Sequence, residues 1–201
     1  MTLDGNTKIN GLVLAGGKSV RMGQDKGMMA WHGKPQKYYM ADLLSTVCDK
    51  VFISCRQDQI KDIEQGYEAL TDSAEYEGSG PTAAILSAFE KQPETAWLVV
   101  ACDLPLLNSS SLEYLISNRN SDTIATTFES PHDGLPEPLI TIWEPASYKV
   151  LKAKLAEGYK CPRKVLINNS STILQPPYPA ALTNTNTPED VEKVYAILGR
   201  Q

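Results

Sequence analysis

Trp97-Leu-Val-Val-Ala101 is a run of five apolar residues without polar alternation, and a strand of that kind has to be buried on both faces. Burial on both faces requires helices above and below the sheet, which narrows the chain to layered α/β architectures. The preceding apolar runs fit this frame. Ile9 to Ala15, Val51 to Cys55 and Tyr67 to Thr71 read as strands. Between them lie a helix-spaced stretch (Tyr38, Met40-Ala41, Leu43-Leu44, Val47) and a short polar helix from Gln57 to Gln65 with Ile60 and Ile63 as its apolar positions. This β-α-β-α-β order predicts a mainly parallel sheet with right-handed crossovers. Beyond it, the pattern predicts a helix from Thr82 opened by Gly80-Pro81, and a second capped by Asn108 or Ser109 with Leu112, Leu115 and Ile116 on its core face. Strands follow at Thr123 to Thr127 and Leu139 to Trp143, and helices at Ala146 to Glu157 and Pro162 to Asn168. A last helix begins at Thr187-Pro188. The Ser130 to Pro138 connection reads as too long for a hairpin turn and so as a functional loop.

At 201 residues, with no internal repeat or linker composition, the expectation is a single domain over residues 1–201. The net charge of -5 argues against a general nucleic-acid binder, so any phosphate site must be a local cationic pocket. The four cysteines, Cys48, Cys55, Cys102 and Cys161, are scattered without zinc-site spacing and read as free thiols. The opening residues to Lys8 are polar, and no apolar run approaches the roughly 18 residues of a membrane span. These features predict a cytoplasmic protein that contacts neither membrane nor nucleic acid.

The first strand passes into Gly16-Gly17 and then a cationic stretch holding Lys18, Arg21 and Lys26. Glycines have no Cβ to hold a ligand off, so successive backbone N–H groups can turn toward an anion. Two common phosphate fingerprints do not fit. Gly17-Lys18-Ser19 would end a P-loop, but the residue five before Gly17 is Leu12, and Gly16, Gly17 and Gly23 do not make Gly-x-Gly-x-x-Gly. Leu14 to Lys26 does match Leu-Ala-Gly-Gly-x-Ser-x-Arg-Met-Gly-x-Asp-Lys at every specified position. That signature resembles the nucleotidyltransferases that build nucleoside-diphosphate conjugates, in particular the molybdenum cofactor guanylyltransferases and their relatives, the MobA-like enzymes. The match also covers Cys102-Asp-x-Pro105 and Asn184-x-Asn-Thr-Pro-Glu189.

In open α/β sheets, ligands bind beyond the carboxyl ends of the strands, and four features fall on that edge. They are the glycine loop, the turn-rich Asp72 to Pro81, Asp103 just after the central strand, and Asn184 to Thr187 before the last helix. Asp103 is placed to hold a divalent cation bridging nucleotide phosphates. The resemblance implies further roles. Arg21 would contact the triphosphate and Lys26 would neutralise the transferring phosphate, making Arg21, Lys26 and Asp103 the catalytic set. Leu14, Ala15, Gly16, Gly17, Lys26, Asp72, Gly80, Pro81 and Asp103 would bind the nucleotide. Asn184, Asn186 and Arg163 would meet phosphates or the acceptor, although Asn186 could equally serve only the helix cap. Ala84 departs from the family pattern, which has a glycine in Gly-Pro-x-x-Gly, and an added methyl there bears on which base is read.

The resemblance thus implies a three-layer α/β sandwich with a mainly parallel, Rossmann-like sheet of the nucleotide-diphospho-sugar transferase type. It implies Mg²⁺-dependent transfer of GMP from GTP to molybdopterin with release of pyrophosphate. Two alternatives stand beside it: cytidylyl or other nucleotidyl transfer to molybdopterin or a sugar phosphate, and a catalytically silent nucleotide-binding regulator. A monomer or weak homo-oligomer is expected.

Overall fold

The computed structural model of the chain describes residues 8–17 and 26–199. Its centre is a seven-stranded sheet in the order β3-β2-β1-β4-β6-β5-β7. The strands are β1 (Ile9–Leu14), β2 (Lys50–Ser54), β3 (Glu68–Leu70), β4 (Ala96–Ala101), β5 (Ala125–Glu129), β6 (Pro136–Trp143) and β7 (Ser171–Leu174). β1 pairs in parallel with β2 and β4, β2 with β3, and β5 with β7, while β6 runs antiparallel to both β4 and β5.

β4 is central, and its six residues are all buried. Alternation along it feeds two separate cores. Leu98 and Val100 join Val13 and Ile53 against α1 (Gln36–Ser45) and α3 (Ser109–Ser117). Trp97 and Val99 join Leu12 and Phe52 against α2 (Pro81–Lys91), α4 (Ser147–Ala156) and α5 (Pro162–Ile167). Helices therefore cover both faces, the three-layer α/β arrangement that an all-apolar central strand demands. Gly11 shows how closely the layers meet: a Cβ there would lie 3.1 Å from Leu44, so glycine lets α1 settle onto β1.

The helix starts follow their sequence signals. Asn108 accepts the Ser111 N–H at 2.9 Å, and Pro81 opens α2 after Gly80, whose φ of 59° suits a residue without a Cβ. Two expectations need correction. β5 and β6 are directly paired, and Ser130 to Leu135 closes a hairpin in which the Ser130 N–H meets the Leu135 carbonyl at 2.8 Å. The strand begins at Pro136, earlier than its prolines suggested, because a register shift between Thr127 and Glu129 accommodates that end of the pair. Gln57–Asp62 is a 3-10 turn rather than a longer helix.

α6 (Pro188–Ile197) carries a reciprocal cap: the Asp190 carboxylate accepts the Asn186 and Thr187 N–H groups at 3.0 Å each, and Thr187 Oγ1 accepts the Asp190 N–H at 3.3 Å. The Asn186 N–H first, together with Thr187, holds the Asp190 carboxyl below its ordinary range. A carboxyl lowered in the folded state contributes stability above the unfolded pKa and loses it as pH falls through the folded one. Asp190→Ala should therefore cost about 1 kcal/mol at neutral pH in urea titrations, the gap closing once pH drops below about 4.

Candidate functional site

β1 to β4 run in parallel, so their carboxyl ends share one edge, and the antiparallel β6 brings its first residues to the same edge. Main-chain hydrogen bonds beyond the strands hold these ends in step. The Ala15 N–H donates to Ser54, the Cys55 N–H to Leu70 and the Cys102 N–H to Leu14, at 3.0, 3.0 and 3.3 Å.

A cavity of about 860 Å³ opens along this edge. Leu14, Ala15, Gly16 and Gly17 line it from β1, Asp72, Gly80 and Pro81 from the loop that leads into α2, and Asp103 from the end of β4. Pro81 begins an eleven-residue helix, so the partial positive charge of the α2 N-terminus lies at the wall. Partial withdrawal from water pushes the Asp72 carboxyl up from its ordinary value. Ala84 also lines the cavity, so the methyl that replaces the family's glycine faces this space. Arg21 and Asp25 lie outside the described residues, and Lys26 is described as the backbone start of the 3-10 turn Lys26–Met28.

A second pocket, of about 240 Å³, is lined by Asp103, Glu137, Leu139, Arg163, Asn184 and Asn186 among others. Asp103 and Leu139 line both spaces. The Asn184 to Thr187 segment reaches Asp103 because the Thr185 N–H and hydroxyl both donate to the Asp103 carbonyl, at 3.0 and 3.4 Å. Two stretches 82 residues apart are thereby joined at the strand end.

Arg163 occupies the second pocket with its guanidinium already engaged. It donates to Asp133 Oδ2 at 2.7 Å and to Glu137 Oε1 at 3.1 Å, tying α5 to the β5–β6 hairpin. The Leu135 N–H, with help from Ser130 and Arg163, holds the Asp133 carboxyl below its usual value. An incoming anion would therefore have to share this arginine with two carboxylates.

Several lining residues were not anticipated from the sequence. Ser54 at the end of β2, with Cys55, Arg56 and Asp58 directly past it, lines the large cavity, and Glu137 lines the small one. The strand-end rule that selected Asp103 also applies to β2 and would have selected them. Cys55 is buried, and burial raises its thiol pKa, so it remains an inert neutral group. His32, read as a loop histidine without chemistry, stacks on Tyr39 with centroids 3.8 Å apart and its Nε2 meets the Pro105 carbonyl at 2.8 Å. It braces α1 against the turn that follows Asp103.

Among the described residues no group of three or more His, Cys, Asp or Glu side chains could hold a metal ion, and no helix is long and apolar enough to cross a membrane.

Comparison with known proteins follows the same lines. The MobA-like NTP transferase domain model matches residues 11–172. The chain is 35% identical over 189 residues to the molybdenum cofactor biosynthesis bifunctional protein of Synechocystis sp., covering 94% of this chain but only 54%, about half, of that longer protein. It is 28% identical over 184 residues to the molybdenum cofactor guanylyltransferase of Pseudomonas fluorescens, covering 89% of each. The molybdopterin-guanine dinucleotide biosynthesis protein A of Archaeoglobus fulgidus has the same fold, with a TM-score of 0.77 over 94% of this chain and 98% of that one at 20% identity. Because the family model spans most of the chain, this protein belongs to the MobA-like NTP transferase family.

Proposed function

We propose that the chain transfers GMP from GTP to a molybdopterin acceptor and releases pyrophosphate. The observation that carries this reading is that Asp103 lines both cavities. Nucleotidyl transfer needs two substrates to meet at one phosphorus, and a carboxylate shared by two adjoining spaces is suited to that junction. The relatives named above as guanylyltransferases support the choice of base and acceptor.

In this reading the large cavity takes the triphosphate and the small one the acceptor. An oxygen of the acceptor's phosphate attacks the α-phosphorus, the bond from that phosphorus to the β-phosphate oxygen breaks, and the electron pair leaves with pyrophosphate. Catalysis is then mostly positioning and charge neutralisation. The described charged residues of the large cavity are Arg56 against Asp58, Asp72, Glu77 and Asp103, so carboxylates outnumber cations. A bound triphosphate therefore depends on further positive charge, which the loop residues Arg21 and Lys26 supply together with a metal ion.

A carboxylate such as Asp103 at a phosphate site, with no larger ligand group among the described residues, fits Mg²⁺, which keeps several waters and takes its other ligands from phosphate oxygens. Asp103 would hold it, and the ion would withdraw charge from the phosphates. Gly16 and Gly17 let the phosphates approach the backbone, and Asp72, Gly80 and Pro81 lie where base and ribose would be read. Asn184 and Asn186 face the acceptor side, and Arg163 can meet the acceptor's phosphate by exchanging one of its carboxylate partners. The reading places the protein in the cytoplasm, as a single domain.

One observation favours a second reading: Ala84 puts a methyl into the wall of the nucleotide cavity, which admits the same chemistry with another base such as cytosine. Thermal unfolding with each of the four nucleoside triphosphates and Mg²⁺ separates the two. GTP at 100 times its dissociation constant should add about 2.7 kcal/mol of stability, with CTP, UTP and ATP adding far less. A larger shift with CTP would transfer the proposal to a cytidylyl donor, and no shift with any triphosphate would remove it.

A further inference from the structure

Arg56 lies outside every role assigned above, although it lines the nucleotide cavity. Its Nη1 donates to the Gly16 carbonyl at 3.2 Å, across 40 residues of sequence. Its Nε donates to Asp58 Oδ1 at 3.2 Å. The Arg56 main chain is itself held, since its N–H donates to the Gln59 side chain at 3.1 Å and its carbonyl accepts the Gln59 N–H at 2.9 Å. The guanidinium is thus gripped on one side by Asp58 and applied on the other to the peptide that joins the two glycines.

That peptide is trans, and in a trans peptide the C=O and N–H point in opposite directions. A guanidinium bound to the Gly16 oxygen therefore turns the Gly17 N–H away from Arg56. Among the described residues, no other contact beside the pair does this. A Cβ built on Gly17 meets no atom within 4 Å, and one on Gly16 makes only ordinary contacts at 3.6 Å with Cys55 and Arg56. A glycine pair with so few contacts to the described residues can adopt many conformations, so without a tether it would have to be ordered by the ligand at a cost in affinity.

The geometry points to Arg56 as a positioning residue: with Asp58 as its anchor, it presets the Gly16-Gly17 peptide that receives the triphosphate. The inference rests on the proposed nucleotide site. It differs from a direct Arg56–phosphate contact in the sign expected at Asp58. If Arg56 bound phosphate itself, Asp58 would compete for its guanidinium, and removing that carboxylate would tighten binding. If Arg56 works through Gly16, removing Asp58 releases the guanidinium from its fixed aim and weakens binding.

The experiment is calorimetric titration of the full chain with GTP and Mg²⁺, comparing wild type with Arg56→Ala, Arg56→Lys and Asp58→Ala, each checked for an unchanged melting midpoint. All three substitutions should weaken GTP binding about tenfold, the usual scale for losing a charge-assisted hydrogen bond. Lysine should fail with alanine because a single ammonium cannot hold Asp58 and Gly16 from opposite sides of a planar fork. Binding by Arg56→Lys at the wild-type level, or by Asp58→Ala at or above it, would overturn the inference while leaving the nucleotide site intact. Absence of triphosphate binding by the wild type would instead remove the functional reading on which it stands. Should Arg56→Ala misfold, the Asp58→Ala arm decides alone, since Asp58 is exposed and pairs only with Arg56 among the described ion pairs.

Discussion

Asp103→Ala should leave a folded protein whose pyrophosphate release, with GTP, Mg²⁺ and a molybdopterin acceptor, is slower by about a thousandfold, or roughly 4 kcal/mol of transition-state stabilisation. The fold should survive because the Asp103 carbonyl accepts the Thr185 N–H and hydroxyl, and alanine keeps that carbonyl. Asp103 lines both cavities, so its loss should fall on the chemistry rather than on either substrate alone. Asp103→Asn, which keeps the shape and removes the charge, should lose nearly as much. Lys26→Ala should slow the same reaction about a hundredfold or more, through loss of the cation assigned to the transferring phosphate. If either alanine variant turned over within a few-fold of wild type in the coupled pyrophosphate assay, the catalytic assignment would be wrong.

Glu144→Ala should be the most destabilising single change to a charged residue, costing about 3–5 kcal/mol in urea unfolding. Glu144 and Arg119 form a bidentate pair with both N···O distances 2.7 Å, and their side chains are only 3% and 6% exposed. Removing the carboxylate takes two charge-assisted hydrogen bonds from a guanidinium in a site that water barely reaches, which costs far more than the pair itself contributes. The pair joins the end of α3 to the end of β6, so its loss also frees the helix from the sheet. Replacing both partners, as in Arg119→Met with Glu144→Leu, should recover most of the loss because no buried charge remains. A double variant as unstable as Glu144→Ala would show that these residues act through separate contacts. By comparison, breaking the exposed pair Lys154–Glu157 should barely move the unfolding midpoint.

Much of the architecture was legible in the chain because the signals concerned are local. An all-apolar Trp97 to Ala101 has to be interior, and Asn108 and Thr187 with Pro188 mark helix starts by their own hydrogen-bonding chemistry. The errors lie where partners are distant. β7 was not anticipated because Ser171 to Leu174 is short and half-exposed, and it becomes a strand only by pairing with β5. The β5–β6 connection was misread for the same reason: its prolines and glycine mark a turn, but whether two strands close on each other depends on a ladder formed far from the turn.

The site divides in the same way. The glycine turn, Asp103 and the Asn184 to Thr187 segment could be selected from sequence, since residue types and strand ends are written in the chain. That Asp103 lines two cavities could not, because the small one is made where β6, α5 and the Asn184 to Asn186 segment meet the end of β4, and the large one where the ends of β1 and β2 and the loop into α2 do. Nor could the fact that Arg163 already holds Asp133 and Glu137, or that Arg56 reaches back 40 residues to grip the Gly16 carbonyl. By itself the sequence determined the layers, the parallel edge and the phosphate-binding turn, because periodicity and backbone chemistry act over a few residues. The tertiary structure alone decided which charges are neutralised and which peptide is held still, because those depend on side chains meeting across a fold that no local pattern records.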